Sequence, residues 1–263
     1  MSEILSLQFM QNAFLAGLLV SVACGVIGSL VVINKMTFMA GGVAHGAFGG
    51  VGAAFFFGFA PLFGAGVAAV VLGVLIAFIS LRSPFRIDNV VGALWAFGMA
   101  LGIVLADLTP GYNVDLMSYL FGSILAVPSR DLYFMCALDV LFVGFAGVFY
   151  RQICATSFDP EFARLRGVKV RALYYATSVL VALCVVASIR VVGLILVIAL
   201  LTIPPYVAEK FSANLGMMMT LGAVFAGVFC VSGLMLAYFF DLTGGASIIL
   251  VATTCFFISL LKK

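Results

Sequence analysis

NAFLAGLLVSVACGVIGSLVVI, residues 12–33, is the stretch that decides the fold. Its twenty-two residues carry no charge. Wound as a helix they reach about 33 Å, enough to cross a hydrocarbon layer of about 30 Å. Similar runs recur along the chain at 38–59, 62–81, 90–105, 132–150, 172–188, 191–207, 216–240 and 247–261. They are continuous, without the ten-residue alternation of a membrane barrel, so the predicted fold is all-α, a transmembrane bundle of about nine spans.

Composition agrees. The chain has 263 residues, 65% hydrophobic and 9% charged, against about 25% charged in soluble domains. Mean hydropathy is +1.30. Glu3 precedes the first run and no basic segment opens the chain, so no cleavable signal is expected. Of the six cysteines, Cys24, Cys136, Cys184, Cys230 and Cys255 fall in apolar runs and none forms a CxxC pair, which predicts small hydrophobes rather than disulfides or a zinc site. No GxxxxGK[ST] segment is present, so any nucleotide energy must come from another subunit. Met36, Met39, Met99, Met117, Met135 and Met217–Met219 lack a regular MxxM spacing and predict packing against lipid rather than copper binding.

Against this background 151–171, RQICATSFDPEFARLRGVKVR, is the one long polar segment. It holds five of the thirteen basic residues, Arg151, Arg164, Arg166, Lys169 and Arg171. Placing it in the cytoplasm puts Lys35, Arg82, Arg86, Lys210, Lys262 and Lys263 there too, leaving only Arg130 and Arg190 outside. The basic-inside bias then sets the amino terminus outside and the carboxyl terminus inside, after nine crossings. Parity requires that the short apolar piece 116–127 not cross, which predicts a re-entrant or interfacial segment. The basic clustering belongs to one membrane face and does not point to nucleic acid. The chain reads as one domain.

The polar segment also predicts a short helix. Ser157 or Asp159 can cap it, Pro160 suits its first turn, Glu161 lies near its positive end, Arg164 and Arg166 near its negative end, and Gly167 is placed to stop it. Phe158, Phe162 and Leu165 recur on one side beside the small Ala163, a face suited to docking a partner. A solvated loop obeying the charge bias is the plainer alternative.

Among intramembrane residues His45 stands first, being the only histidine and lying inside a span. Ionisable groups there normally face a cavity or a partner. Gly41, Gly42, Gly46, Gly49 and Gly50 surround it, and the Gly42, Gly46, Gly50 stripe lets another backbone approach closely. A neutral imidazole beside bare backbone suits weak, transient coordination of a transition metal, with hydrogen bonding to a neighbouring helix as the plainer role. Asp139, inside the fifth span, can line a cation path or pair with Arg190 or a backbone group. Asp107, Asp115, Asp131 and Asp241 fall on the outer face, where solvation is the plain reading. Pro204 in IPPY, 203–206, predicts a kink or break in the seventh span, a feature of substrate paths and hinges.

Four segments together resemble one family: AHGAFGG at 44–50, FGSILAV at 121–127, SFDPEFARLRGV at 157–168 and RVVGLILVIALLTIPPYVA at 190–208. They are similar to motifs of the membrane permease of bacterial ABC importers for zinc, manganese and iron. The resemblance implies a homodimeric transmembrane domain over 1–263 in the bacterial inner membrane. It implies alternating access of a divalent metal along the dimer axis, and an extracytoplasmic solute-binding protein. Two cytoplasmic ATPase subunits, holding ATP and Mg, would dock on the coupling residues Phe158, Asp159, Glu161, Ala163, Arg164 and Gly167; no cofactor resides in this chain. His45 would serve at the gate with Gly41, Gly42, Gly46 and Pro204, and His45 and Asp139 are the candidate ligands of the passing ion. Family members often carry an aspartate one turn before the histidine, where this chain has Gly41. Pro205, Tyr206 and Val207 also depart from the usual small residues. A permease for metal chelates would run longer, a channel or secondary transporter would carry paired midplane charges, and a membrane enzyme would need a denser polar cluster.

Overall fold

The computed structural model describes residues 8–82, 86–109, 124 and 127–261. In chain order the helices are α1 (Gln8–Ile33), α2 (Thr37–Gly46), α3 (Phe48–Phe57), α4 (Pro61–Arg82), α5 (Ile87–Asp107), α6 (Ser129–Val148), α7 (Tyr150–Phe158), α8 (Pro160–Leu165), α9 (Val170–Val192), α10 (Leu194–Glu209), α11 (Leu215–Phe240) and α12 (Gly244–Leu261). Among the described residues eight spans are long and apolar enough to cross a membrane, α2 and α3 together forming one of them. The ninth predicted run is α10, shorter at sixteen residues. The predicted re-entrant piece 116–127 lies outside the described residues apart from Ile124 and Val127, both buried.

The chain forms two compact units. One holds α1, α6, α10, α11, α12 and the last turns of α9. Here α1 is the central helix, packed on α6, α10 and α11. It is apolar all round, as a helix enclosed by others should be. Its buried Ser21 and Ser29 hydroxyls donate back to the carbonyls of Gly17 and Gly25, so neither is stranded away from water. Lys210, just past α10, donates to the Ser259 carbonyl of α12 at 2.6 Å and lies over the Tyr206 ring. Met36, Met39, Met135, Met218 and Met219 are buried, so these methionines fill protein interior. The cysteines are free.

The expected break at Pro204 is absent. Pro204 and Pro205 are buried inside α10, and the helix runs on through them to Glu209. Each proline withholds an N–H, which releases the carbonyls of Leu200 and Leu201 from the helical ladder. Neighbours brace the weakened turn. A Cβ on Gly28 of α1 would stand 2.5 Å from the Leu201 oxygen and 2.8 Å from the Pro205 ring. Only a residue without a side chain permits that approach. The backbone break falls instead at Gly193, between α9 and α10, where φ 85° and ψ 163° define a conformation open essentially to glycine alone.

The other unit holds α2–α5, α7, α8 and most of α9. The α2–α3 pair is mostly buried between α4 and α5. Its contacts are backbone against backbone. Cβ atoms on Gly49 and Gly52 would fall 2.9 Å from the Gly98 carbonyl and 2.3 Å from that of Gly102 on α5, and one on Gly50 would fall 2.2 Å from the Gly64 carbonyl on α4. The small-residue stripe read from the sequence thus seats one helix pair on two others. The outer surfaces of α4 and α5 are exposed and apolar, including Phe63, Val71, Phe97 and Val104, as lipid contact requires.

These contacts make a testable asymmetry among glycines. Gly50→Leu drives a side chain into the Gly64 carbonyl, and overpacking of this kind costs about 1–3 kcal/mol. Gly66 has nothing within 4 Å of its would-be Cβ, so Gly66→Ala is expected to stay within about 0.5 kcal/mol of the parent. Unfolding midpoints of the two variants in mild detergent check the contrast.

Candidate metal pathway and coupling helix

His45 lies near the end of α2, two residues before a discontinuity at Ala47 where α3 takes over. The glycine contacts set its surroundings. A Cβ on Gly42 would collide with Val91, and one on Gly98 would fall 2.5 Å from the Gly46 carbonyl, so α2–α3 and α5 run side by side in the same direction. Trp95, between these contacts on α5, lies beside His45. The imidazole stacks on the indole with ring centroids 4.0 Å apart and planes 27° from parallel. The indole Nε1 donates to Met99 Sδ at 3.1 Å, and Phe38 packs against the indole with centroids 6.5 Å apart.

The imidazole is also tied to its own helix. Nδ1 stands 2.9 Å from the Gly41 carbonyl oxygen. A carbonyl can only accept, so Nδ1 carries the proton and donates, and Nε2 keeps the lone pair. Backbone carbonyls hold metal-binding histidines in this way elsewhere. Position 41 therefore contributes through its main chain. Among the described residues no group of three or more His, Cys, Asp or Glu side chains gathers to hold a metal ion. What His45 offers is one oriented nitrogen, suited to a passing ion rather than a stored one.

Asp139 belongs to the other unit, on the buried stripe of α6 with Asp131, Met135, Phe142 and Ala146. The pairing with Arg190 considered from the sequence does not form. Arg190 Nε donates to Asp131 Oδ2 at 2.6 Å, and Asp131, expected to be solvated, is buried. Asp131 occupies the first turn of α6, two turns before Asp139, and so reaches Arg190 first. Both carboxyl oxygens of Asp139 are buried without a hydrogen-bond partner.

The polar segment is helical over more of its length than expected, since α7 covers Tyr150–Phe158. The predicted coupling helix is α8. Asp159 is its cap, accepting from the Phe162 N–H at 2.9 Å, and Pro160 follows in the first turn with Glu161. At the far end the Val168 N–H bonds the Ala163 carbonyl and the Gly167 N–H bonds the Arg164 carbonyl. That double closure requires a left-handed residue at Gly167, whose φ is 81°. Ala163 is fully buried, whereas Phe158, Phe162 and Leu165 are 71%, 49% and 88% exposed. Arg166 lies over the Phe162 ring. Behind α8 a cavity of about 260 Å³ is lined by Asn34, Met36, Leu81, Ile153, Pro160, Arg164 and Tyr174 among others.

Trp95 and the Asp131–Arg190 pair were not singled out from the sequence. A lone tryptophan four residues before a methionine was the only available signal for the first.

The family model described as the ABC 3 transport family matches residues 6–263. A membrane protein of Synechocystis is 46% identical over 260 residues, covering 99% of this chain and 92% of its own. The manganese transport system membrane protein MntC of Halalkalibacterium halodurans is 33% identical over 254 residues, covering 97% and 87%. Among solved structures, PsaBC from Streptococcus pneumoniae in complex with Fab superposes with a TM-score of 0.87 at 30% identity, over 98% of this chain and 93% of that one.

The buried, partnerless carboxyl of Asp139 carries a cost that a neutral side chain would avoid, since burying a polar group unpaired costs about 1–3 kcal/mol. Asp139→Leu is expected to raise the unfolding midpoint and to leave uptake intact. Loss of uptake in a stabilised variant would make Asp139 part of the ion path.

Proposed function

We propose, on the premise that this chain belongs to the ABC 3 transport family, that it imports manganese or a similar divalent transition metal. It would do so as the membrane permease of an ATP-driven system. Its named relatives are transport system membrane proteins and not enzymes. Manganese is favoured over zinc and iron because the manganese transport system membrane proteins MntC of two Listeria species and the manganese import permease ScaB of Streptococcus gordonii are 30–32% identical to this chain.

The observation that carries the reading is α8. Six residues closed at both ends, with Phe162 and Leu165 exposed beside Phe158 at the end of α7, make an apolar knob on an otherwise polar segment. Exposed large side chains on a capped helix fit a groove in a partner far better than they fit water. The partner is a cytoplasmic ATPase, with Glu161 and Arg164 at the rim of the contact. A solute-binding protein delivers the ion from outside, and two copies of the chain enclose the path, opening alternately to either side. His45 Nε2 meets the ion in that path. Gly41 orients the imidazole, Gly42 and Gly46 seat its helix, and any hinge near Pro204 falls at Gly193.

Reconstituted vesicles with the ATPase and the solute-binding protein test both roles. His45→Ala is expected to abolish metal uptake while the complex still assembles and hydrolyses ATP. Leu165→Asp is expected to weaken ATPase association at least about tenfold, as loss of a buried apolar anchor does. Uptake that needs neither ATP nor a partner would overturn the proposal.

A further inference from the structure

We infer that Trp95 is a positioning residue for the transported ion: its indole face sets the plane of the His45 ring, and so the direction of the one nitrogen that meets the metal. This rests on the reading of His45 as the pathway ligand and goes beyond it.

A histidine χ2 is broad and loosely two-fold, so an imidazole on a helix surface samples a range of planes. The hydrogen bond from Nδ1 to the Gly41 carbonyl removes part of that freedom. It leaves the ring free to rock about the line between the two atoms. The stacked indole, 4.0 Å away and 27° from parallel, blocks the rocking. The indole is in turn held at its own N–H by Met99 Sδ. The register of α5 against α2–α3 is fixed by Gly42 on Val91 and Gly46 on Gly98, on either side of the stack. Position 41 has no carboxylate to share the ion, so a misdirected His45 ring leaves no second side chain on that turn to compensate. The face of an indole is also electron-rich, which favours the charge an imidazole acquires when it binds a divalent cation.

Losing an outer partner of a metal-binding histidine costs 10- to 100-fold in affinity or activity, so Trp95→Leu is expected to lower kcat for Mn²⁺ uptake at least about tenfold. The measurement uses the complete permease–ATPase complex in vesicles with Mn²⁺-loaded solute-binding protein. KM for the loaded binding protein and assembly with the ATPase stay at parental values, because neither involves His45. Trp95→Phe, which keeps a ring face, is expected to hold kcat within about threefold. A second readout is spectroscopic. Trp95 is the only tryptophan in the chain. In complex labelled with 5-fluorotryptophan, its ¹⁹F line is the one missing from Trp95→Phe. Mn²⁺ is expected to broaden that line in the parent and not in His45→Ala.

A parental kcat in Trp95→Leu overturns the inference, and so does an equal loss in the leucine and phenylalanine variants, which marks mere packing. If either occurs while His45→Ala is inactive, the pathway reading survives and only the role of Trp95 falls. If His45→Ala transports normally, both fall. Should Trp95→Leu fail to assemble, Met99→Leu takes its place, releasing the indole N–H without emptying the site. A lower kcat with weaker Mn²⁺ broadening supports positioning, and parental values for both overturn it.

Discussion

The contact on which the site depends is bare backbone against bare backbone. Gly46 and Gly49 meet Gly98, Gly52 meets Gly102, and Gly50 meets Gly64. In a bilayer two apolar helices gain little by leaving lipid for each other, so close van der Waals fit must supply the association. These contacts also fix register. One turn of slip along α5 would carry Trp95 about 5 Å past His45 and end the stack. The glycines flanking the histidine thus act by deciding which residue of a neighbouring helix stands beside it.

Local features were legible in the sequence where their causes are local. The apolar runs gave the spans because length and hydropathy suffice to define them. The Asp159 cap and the Gly167 stop were readable because both ends of each interaction lie within a few residues. The Gly42, Gly46, Gly50 stripe was readable because helical periodicity puts its members on one face. The misses are of another kind. His45 meets Trp95 fifty residues on, and Asp131 meets Arg190 fifty-nine residues on, and neither meeting follows from any periodicity. At Pro204 no break forms, although the local effect of the proline is real. The missing helical bonds cost stability, yet α1 and α11 press glycine backbone onto that turn, and the helix runs on through it.

On the proposed reading of His45, one oriented nitrogen is a small site, and a pathway calls for one. Three or four converging ligands hold zinc-like ions as permanent structural members. A transported ion must leave on the time scale of the ATPase cycle, so each ligand has to be good in direction and few in number. His45 meets the first demand through two constraints on its ring. The second agrees with the finding that, among the described residues, no group of three or more His, Cys, Asp or Glu side chains gathers to hold an ion.

His45 and α8 belong to the same compact unit. α8 follows α7 and leads directly into α9. On α9, Tyr174 donates to Ser80 of α4 at 3.0 Å, and Ser178 and Ala182 close on Gly73 of α4. α4 then meets α3 where Gly64 faces Gly50, five residues from His45. The route from α8 to the histidine thus runs through the turn at 166–169 and then through hydrogen-bonded and close-packed helices. A cavity of about 260 Å³ lies behind α8 on that route. Under the proposed function it would give α8 room to move when an ATPase engages it.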